Sequence, residues 1–99
     1  MTDHPQVLDP DGRVVVFDDG SRLHLAKGRP ELLDHVDAIL ATVARPDHRV
    51  DDPLPGREQF YRRDLDPTRW LRVVVDFNST PAWVVTALVQ ENPPRGWKP

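Results

Sequence analysis

The sequence contains no cysteine, so neither a disulfide framework nor a thiolate zinc site is available to hold it together. No apolar run approaches the length that crosses a membrane. Its first residues, Met1-Thr2-Asp3-His4-Pro5, are polar and acidic and lack the charged-then-apolar pattern of a secretory leader. A cytoplasmic protein that does not engage a membrane is expected. Asn78-Ser79-Thr80 matches a glycosylation sequon, and without secretion it reads as turn chemistry. Excess positive charge is missing as well: the net charge of −3 argues against tight, non-specific binding to nucleic acid. No internal repeat or low-complexity segment is visible.

What is present is ordinary for a globular chain. Its 99 residues allow one domain with a modest core, and 38% hydrophobic with 29% charged residues excludes a disordered composition. The single domain spans residues 1–99, with a core over about 13–90, a flexible N-terminal lead-in and a proline-rich C-terminal tail. Charge is unevenly spread. Residues 1–52 carry eleven acidic and six basic side chains, and residues 53–99 carry five and seven. Arg57, Arg62, Arg63, Arg69 and Arg72 lie in or beside two candidate strands, offering planar donor forks suited to phosphate. Glu58, Asp64 and Asp66 offer the alternative of plain solvated strand faces.

The turn signal Asp9-Pro10-Asp11-Gly12 closes the lead-in, and Arg13 to Phe17 reads as a first strand. Ser21 is a candidate N-cap for a short helix over Arg22 to Lys27, stopped by Gly28. Pro30 suits the first position of a longer helix, and Glu31 sits where the helix dipole favours a carboxylate. Leu32, Leu33, Val36, Ile39, Leu40 and Val43 then form one stripe, ended by Arg45-Pro46. That stripe needs a sheet to cover. His48-Arg49-Val50 is at most a short edge strand in a turn-rich stretch. Arg57 to Arg63, Arg69 to Phe77 and Ala82 to Gln90 are better candidates, joined as antiparallel hairpins through Asp64–Thr68 and Asn78–Pro81. The tail from Asn92 cannot be regular, though Trp97 can dock on the body. The fold class expected is α+β: two N-terminal helices, one short and one long, on a four-stranded, mainly antiparallel sheet.

The residues able to carry chemistry each have a plain structural explanation. His24 is a potential proton shuttle or a helix-surface histidine. His4, His35 and His48 have weaker claims: His4 lies in the lead-in, His35 flanks the apolar stripe and His48 lies among turns. No histidine pair has metal-ligand spacing with supporting carboxylates, so no metal or cofactor is expected. Arg29 and Glu31 stand at a helix N-terminus hospitable to phosphate, and Glu31 is equally a first-turn acid. Tyr61 and Arg63 share one strand face, with Arg62 on the other beside Phe60. Thr86 is the polar exception in an apolar strand, where threonine is often only a strand former.

Taken in order, His24, Pro30-Glu31, Tyr61-Arg62, Leu71-Arg72-Val73-Val74-Val75 and Val84-Val85-Thr86-Ala87-Leu88 resemble the barnase–EndoU–colicin–RelE-like nucleases, in particular their small phage-associated branch. The match covers about residues 20–90. The resemblance implies an endoribonuclease fold, often toxin-like, with its active site on the sheet's open side. It implies cleavage of RNA by metal-independent transesterification, in which the ribose 2′-hydroxyl attacks the adjacent phosphorus. His24, Glu31, Arg62 and Thr86 would then be catalytic, and Arg29, Tyr61 and Arg72 would bind substrate. An antitoxin or immunity protein is the partner such a family suggests. In one position the chain departs from it: the residue before proline-glutamate is commonly a second histidine and here is Arg29, which does not exchange protons. Acid–base work would fall on His24, alone or with Glu31.

Two other readings stand beside the nuclease. One is a catalytically inactive domain of the same fold that binds RNA or a protein. The other is an interaction module whose motif matches are accidental. The nuclease reading requires the His24, Arg62 and Thr86 side chains to converge on one concave surface.

Overall fold

A computed structural model describes residues 4–66 and 69–99, with residues 64–66 as backbone alone. The elements run β1 (Gln6–Leu8), β2 (Val14–Val16), α1 (Asp19–Gly28), a 3-10 helix (Pro30–His35), α2 (Val36–Ala44), β3 (His48–Asp51), β4 (Arg57–Asp66), β5 (Arg69–Asp76) and β6 (Ala82–Gln90). The α+β class holds, but the sheet has six strands where four were expected. Their order is β1-β2-β6-β5-β4-β3, and only the β2–β6 pairing is parallel. The expected loose lead-in contains β1, which pairs antiparallel with β2. The short edge strand allowed at His48-Arg49-Val50 is present as β3, paired with β4 from His48↔Tyr61 to Asp51↔Glu58. Both strands, of three and four residues, are too short to carry an alternating pattern of their own, so long-range pairing creates them.

The helices also differ in detail. The N-cap of α1 is Asp18, three residues before Ser21. Ser21 N–H donates to Asp18 Oδ1 at 2.9 Å and Asp18 N–H donates to Ser21 Oγ at 3.1 Å, a reciprocal capping box. The long helix is two pieces. His35, with φ −124° and ψ 32°, leaves the helical region and separates the 3-10 segment from α2. Both expected antiparallel pairings are present, though β4 continues to Asp66 where a turn from Asp64 was expected. β4 and β5 pair as far as Asp66↔Arg69, with Pro67-Thr68 outside the described residues, and β5 and β6 pair across Asn78–Pro81. No helix among the described residues is long and apolar enough to cross a membrane.

The sheet curls around α2. That helix touches β4 and β5 at one side and β1 at the other, burying Ile39, Leu40, Thr42 and Val43. Val15, Phe60, Leu71, Val73, Val75, Val84 and Ala87 meet it from the strands. Ions close the curl. Arg13, at the β1–β2 hairpin, reaches across to Glu58 of β4 at 2.8 Å. Arg49 of β3 reaches back to Asp11 at 2.9 Å and to Glu58 at 2.8 Å. The Arg49 hydrogen bond holds the Asp11 carboxyl below the usual carboxylate range, and the same bond raises the Arg49 guanidinium.

One irregularity decides which residues face outward. Val75 pairs with Val84, yet Val74 pairs with Thr86, so Val85 is an extra residue in β6. Plain alternation would put Trp83 and Thr86 on opposite faces. The bulge restores the parity. Trp83, Thr86, Leu88 and Gln90 now share the face that carries Asp76, Val74, Arg72 and Trp70 of β5. Val84 and Ala87 point into the core.

Candidate functional site

The seven expected site residues divide into three places. His24, Tyr61, Arg72 and Thr86 belong to the outward side of the sheet. His24 is exposed on α1 with its ring edge-on to Trp83, centroids 6.1 Å apart. Arg72 lies between Tyr61 on β4 and Leu88 on β6, and Thr86 is opposite Val74. Tyr61 is buried, and its hydroxyl donates to Gln59 Oε1 at 2.6 Å. Gln59 in turn donates to Asp52 Oδ1 at 2.8 Å. That chain gives the Tyr61 hydroxyl a structural occupation.

Arg62 lies on the other side. It shares the helix-covered face with Phe60, and its Nη1 donates to the Arg45 carbonyl at 3.1 Å and to the Ala41 carbonyl at 3.4 Å. These are carbonyls at the C-terminus of α2, which has no cation of its own in its last turn. Convergence of His24, Arg62 and Thr86 is therefore absent: the sheet stands between Arg62 and Thr86, so the catalytic set that the resemblance implies does not form and the nuclease reading built on it fails. Arg62→Ala should lower stability by about 1–2 kcal/mol, the worth of a charge-assisted cap in a half-buried position. Urea denaturation measures it, and an unchanged midpoint would mean the cap is not stabilising.

Arg29 and Glu31 occupy the third place, a cleft of about 480 Å³ where the 3-10 helix meets the ends of β5 and β6. Arg29, Glu31 and His35 come from the helical side. Arg69, Gln90 and Glu91 come from the sheet, and Leu32, 4% exposed, lies between. Arg29 Nη1 and Glu31 Oε1 are 4.0 Å apart and both side chains are more than half exposed, so the pair is weak and easily rearranged. Two carboxylates, an imidazole and two guanidinium groups line this cleft. Such a set can move protons and neutralise a phosphate.

His35 and Arg69, given only a weaker claim and a general suitability for phosphate by the sequence, both line this cleft. At α-helical spacing His35 merely flanks the apolar stripe. In a 3-10 helix residues three apart eclipse one another, so His35 projects with Leu32 into the cleft. Arg69 is brought in by register alone. Among the described residues no group of three or more His, Asp or Glu is arranged to hold a metal ion. Neither a family model, nor a curated protein, nor a solved structure matches this chain.

Proposed function

We propose that this chain is an endoribonuclease whose acid–base chemistry takes place in the cleft between the 3-10 helix and the ends of β5 and β6. The presence of Glu31, His35, Arg29 and Arg69 in the lining of that one cleft, beside Glu91, is the observation that supports it. Glu31 takes the proton of the ribose 2′-hydroxyl, and the freed oxygen attacks the adjacent phosphorus. The 5′-oxygen leaves with a proton from the His35 imidazolium, giving a 2′,3′-cyclic phosphate and a free 5′-hydroxyl. Arg29 and Arg69 face the non-bridging oxygens, where charge accumulates in the transition state. This assignment keeps Glu31 and Arg29 from the resemblance to the nucleases and replaces His24 by His35 as the proton donor.

The test is incubation of the purified protein with total RNA in EDTA, with analysis of fragment ends. Glu31→Gln and His35→Ala should each slow formation of cyclic-phosphate ends by about 10²–10⁴-fold. If those ends disappear in His24→Ala and persist in the two cleft variants, the chemistry belongs to the outward face and the cleft assignment fails. A second reading, an RNA-binding domain without cleavage, is favoured by the separation of His24, Arg62 and Thr86 and by Arg29 at the place of a histidine. RNA that is retained and never cut would establish it.

A further inference from the structure

We propose that the outward face along β6 is a track for single-stranded RNA that delivers the strand into the cleft; this deepens the ribonuclease reading and rests on it for the choice of RNA as ligand. Continuity comes first. The bulge at Val85 puts Trp83, Thr86, Leu88 and Gln90 in one row, and Gln90, at its end, also lines the cleft; Arg69 and Val89 of that cleft lie on the helix-covered face, so a strand on the track enters by rounding the end of β6. At about 3.3 Å per residue the row runs for roughly 20 Å. That is the scale of the shortest single-strand tracks, about four nucleotides.

The chemistry along the row is that of a strand-binding surface. Trp83, at the far end from the cleft, is a partly exposed indole backed by Gly20 of α1 and by the edge-on His24 ring. A side chain at Gly20 would come within 3.8 Å of that indole. Every base has a π-face, so an anchored indole accepts any unpaired base. Arg72 stands beside the middle of the row. Its Nε is buried and has no hydrogen-bond partner among the described residues. The carboxylates nearby on this face are engaged elsewhere. Asp76 accepts from Arg57 at 3.2 Å and from the Asn78 amide at 2.7 Å, and Asp52 accepts from Gln59 at 2.8 Å. Asp52 feels the charge of Arg72 without pairing with it. A guanidinium with no ion pair among the described residues fits a phosphate oxygen. The half-buried Thr86, diagonal to Arg72, adds a hydroxyl to the same stretch. A duplex hides its bases in its own stack and cannot use Trp83.

The experiment measures fluorescence anisotropy with a labelled 2′-O-methyl RNA octamer, whose blocked hydroxyl prevents cleavage. The wild-type protein should bind the single strand at least tenfold more tightly than a duplex of the same sequence. Trp83→Leu and Arg72→Gln should each weaken binding about tenfold or more, with Trp83→Phe and Arg72→Lys retaining most of it. Arg72→Gln should also flatten the salt dependence by about 0.7 in log–log slope, one phosphate contact on a single strand. Equal binding of duplex and single strand, or undiminished binding by both Trp83→Leu and Arg72→Gln, overturns the track. Wild-type protein given the unmodified octamer in EDTA separates this from the parent reading. Binding without cleavage sinks the ribonuclease and leaves the track standing, whereas cleavage with undiminished variant binding sinks the track alone.

Discussion

Replacing Asp9 by alanine should destabilise the protein by about 3 kcal/mol, a large share of the roughly 5–15 kcal/mol available to a domain of this kind. The Asp9 carboxylate has no solvent exposure and collects several donors at once. The amides of Asp11 and Arg13 donate to Oδ1 at 3.0 and 2.8 Å. Arg13 Nε donates to Oδ2 at 2.8 Å and its Nη2 lies 2.6 Å away. Truncation leaves two amides unsatisfied and a guanidinium without its nearest anion. Arg13 also bridges to Glu58 and lies over the Phe77 ring at 3.6 Å, so the loss reaches the closure of the sheet. The value sits at the low end for a broken buried pair because Asp11 and Glu58 still hold Arg13. Asp11→Ala is the contrast. Its side chain is 58% exposed, and its loss should cost far less than that of Asp9. Because Arg49 lowers the Asp11 pKa, that small contribution is present at neutral pH and fades as pH falls through the lowered value. Denaturant titration of both variants checks the ordering. A cost for Asp9→Ala no greater than that for Asp11→Ala would mean that the buried carboxylate does not organise the hairpin.

Trp70→Ala should be as damaging, about 3–5 kcal/mol, and should release the tail. Trp70 is 2% exposed although it lies on the outward face. What covers it is the chain's own C-terminal stretch. The Trp97 ring meets it edge-on at 4.8 Å, and the Arg63 guanidinium lies 4.4 Å from its centroid. Pro94 is buried, the Arg95 carbonyl is 2.9 Å from His48 Nε2, and the Trp97 amide donates to the Pro94 carbonyl at 3.1 Å. Trp70 is thus the floor on which the tail rests. Limited trypsin digestion followed by mass spectrometry should find the bond after Arg95 cut in Trp70→Ala well before the body unfolds. A destabilisation under about 1 kcal/mol would place the tail's anchorage elsewhere.

The elements legible in the sequence were those whose residues carry their own instruction. The stripe from Leu32 to Val43 and the apolar runs of β5 and β6 state helix and strand without help from a partner. Trp97 in a proline-rich tail pointed to a docked end, and alternation alone placed Arg62 with Phe60, as found. The remainder depends on pairing. Gln6–Leu8 is a strand because Val14–Val16 lies beside it, and His48–Asp51 because of β4. The bulge was invisible because Trp83-Val84-Val85 is apolar in either frame. Without it the faces of Thr86 and Arg62 cannot be compared, so a set of residues in a familiar order looked able to meet. His35 was hidden for a related reason: six residues of 3-10 helix rotate it by 120° per step, where an α-helix would use 100°.

The closure of the sheet has a consequence for how the molecule meets its own copies. β1 and β3 are the two edges, three and four residues long. Long, flat, uncharged edges invite further strands and lead to aggregation. Here the hairpin beside one edge and the strand forming the other hold Arg13, Glu58, Asp11 and Arg49 in a shared bridge. An incoming strand would have to displace that bridge and strip water from its charges. The arrangement that shapes the core thus also guards the sheet against lateral growth.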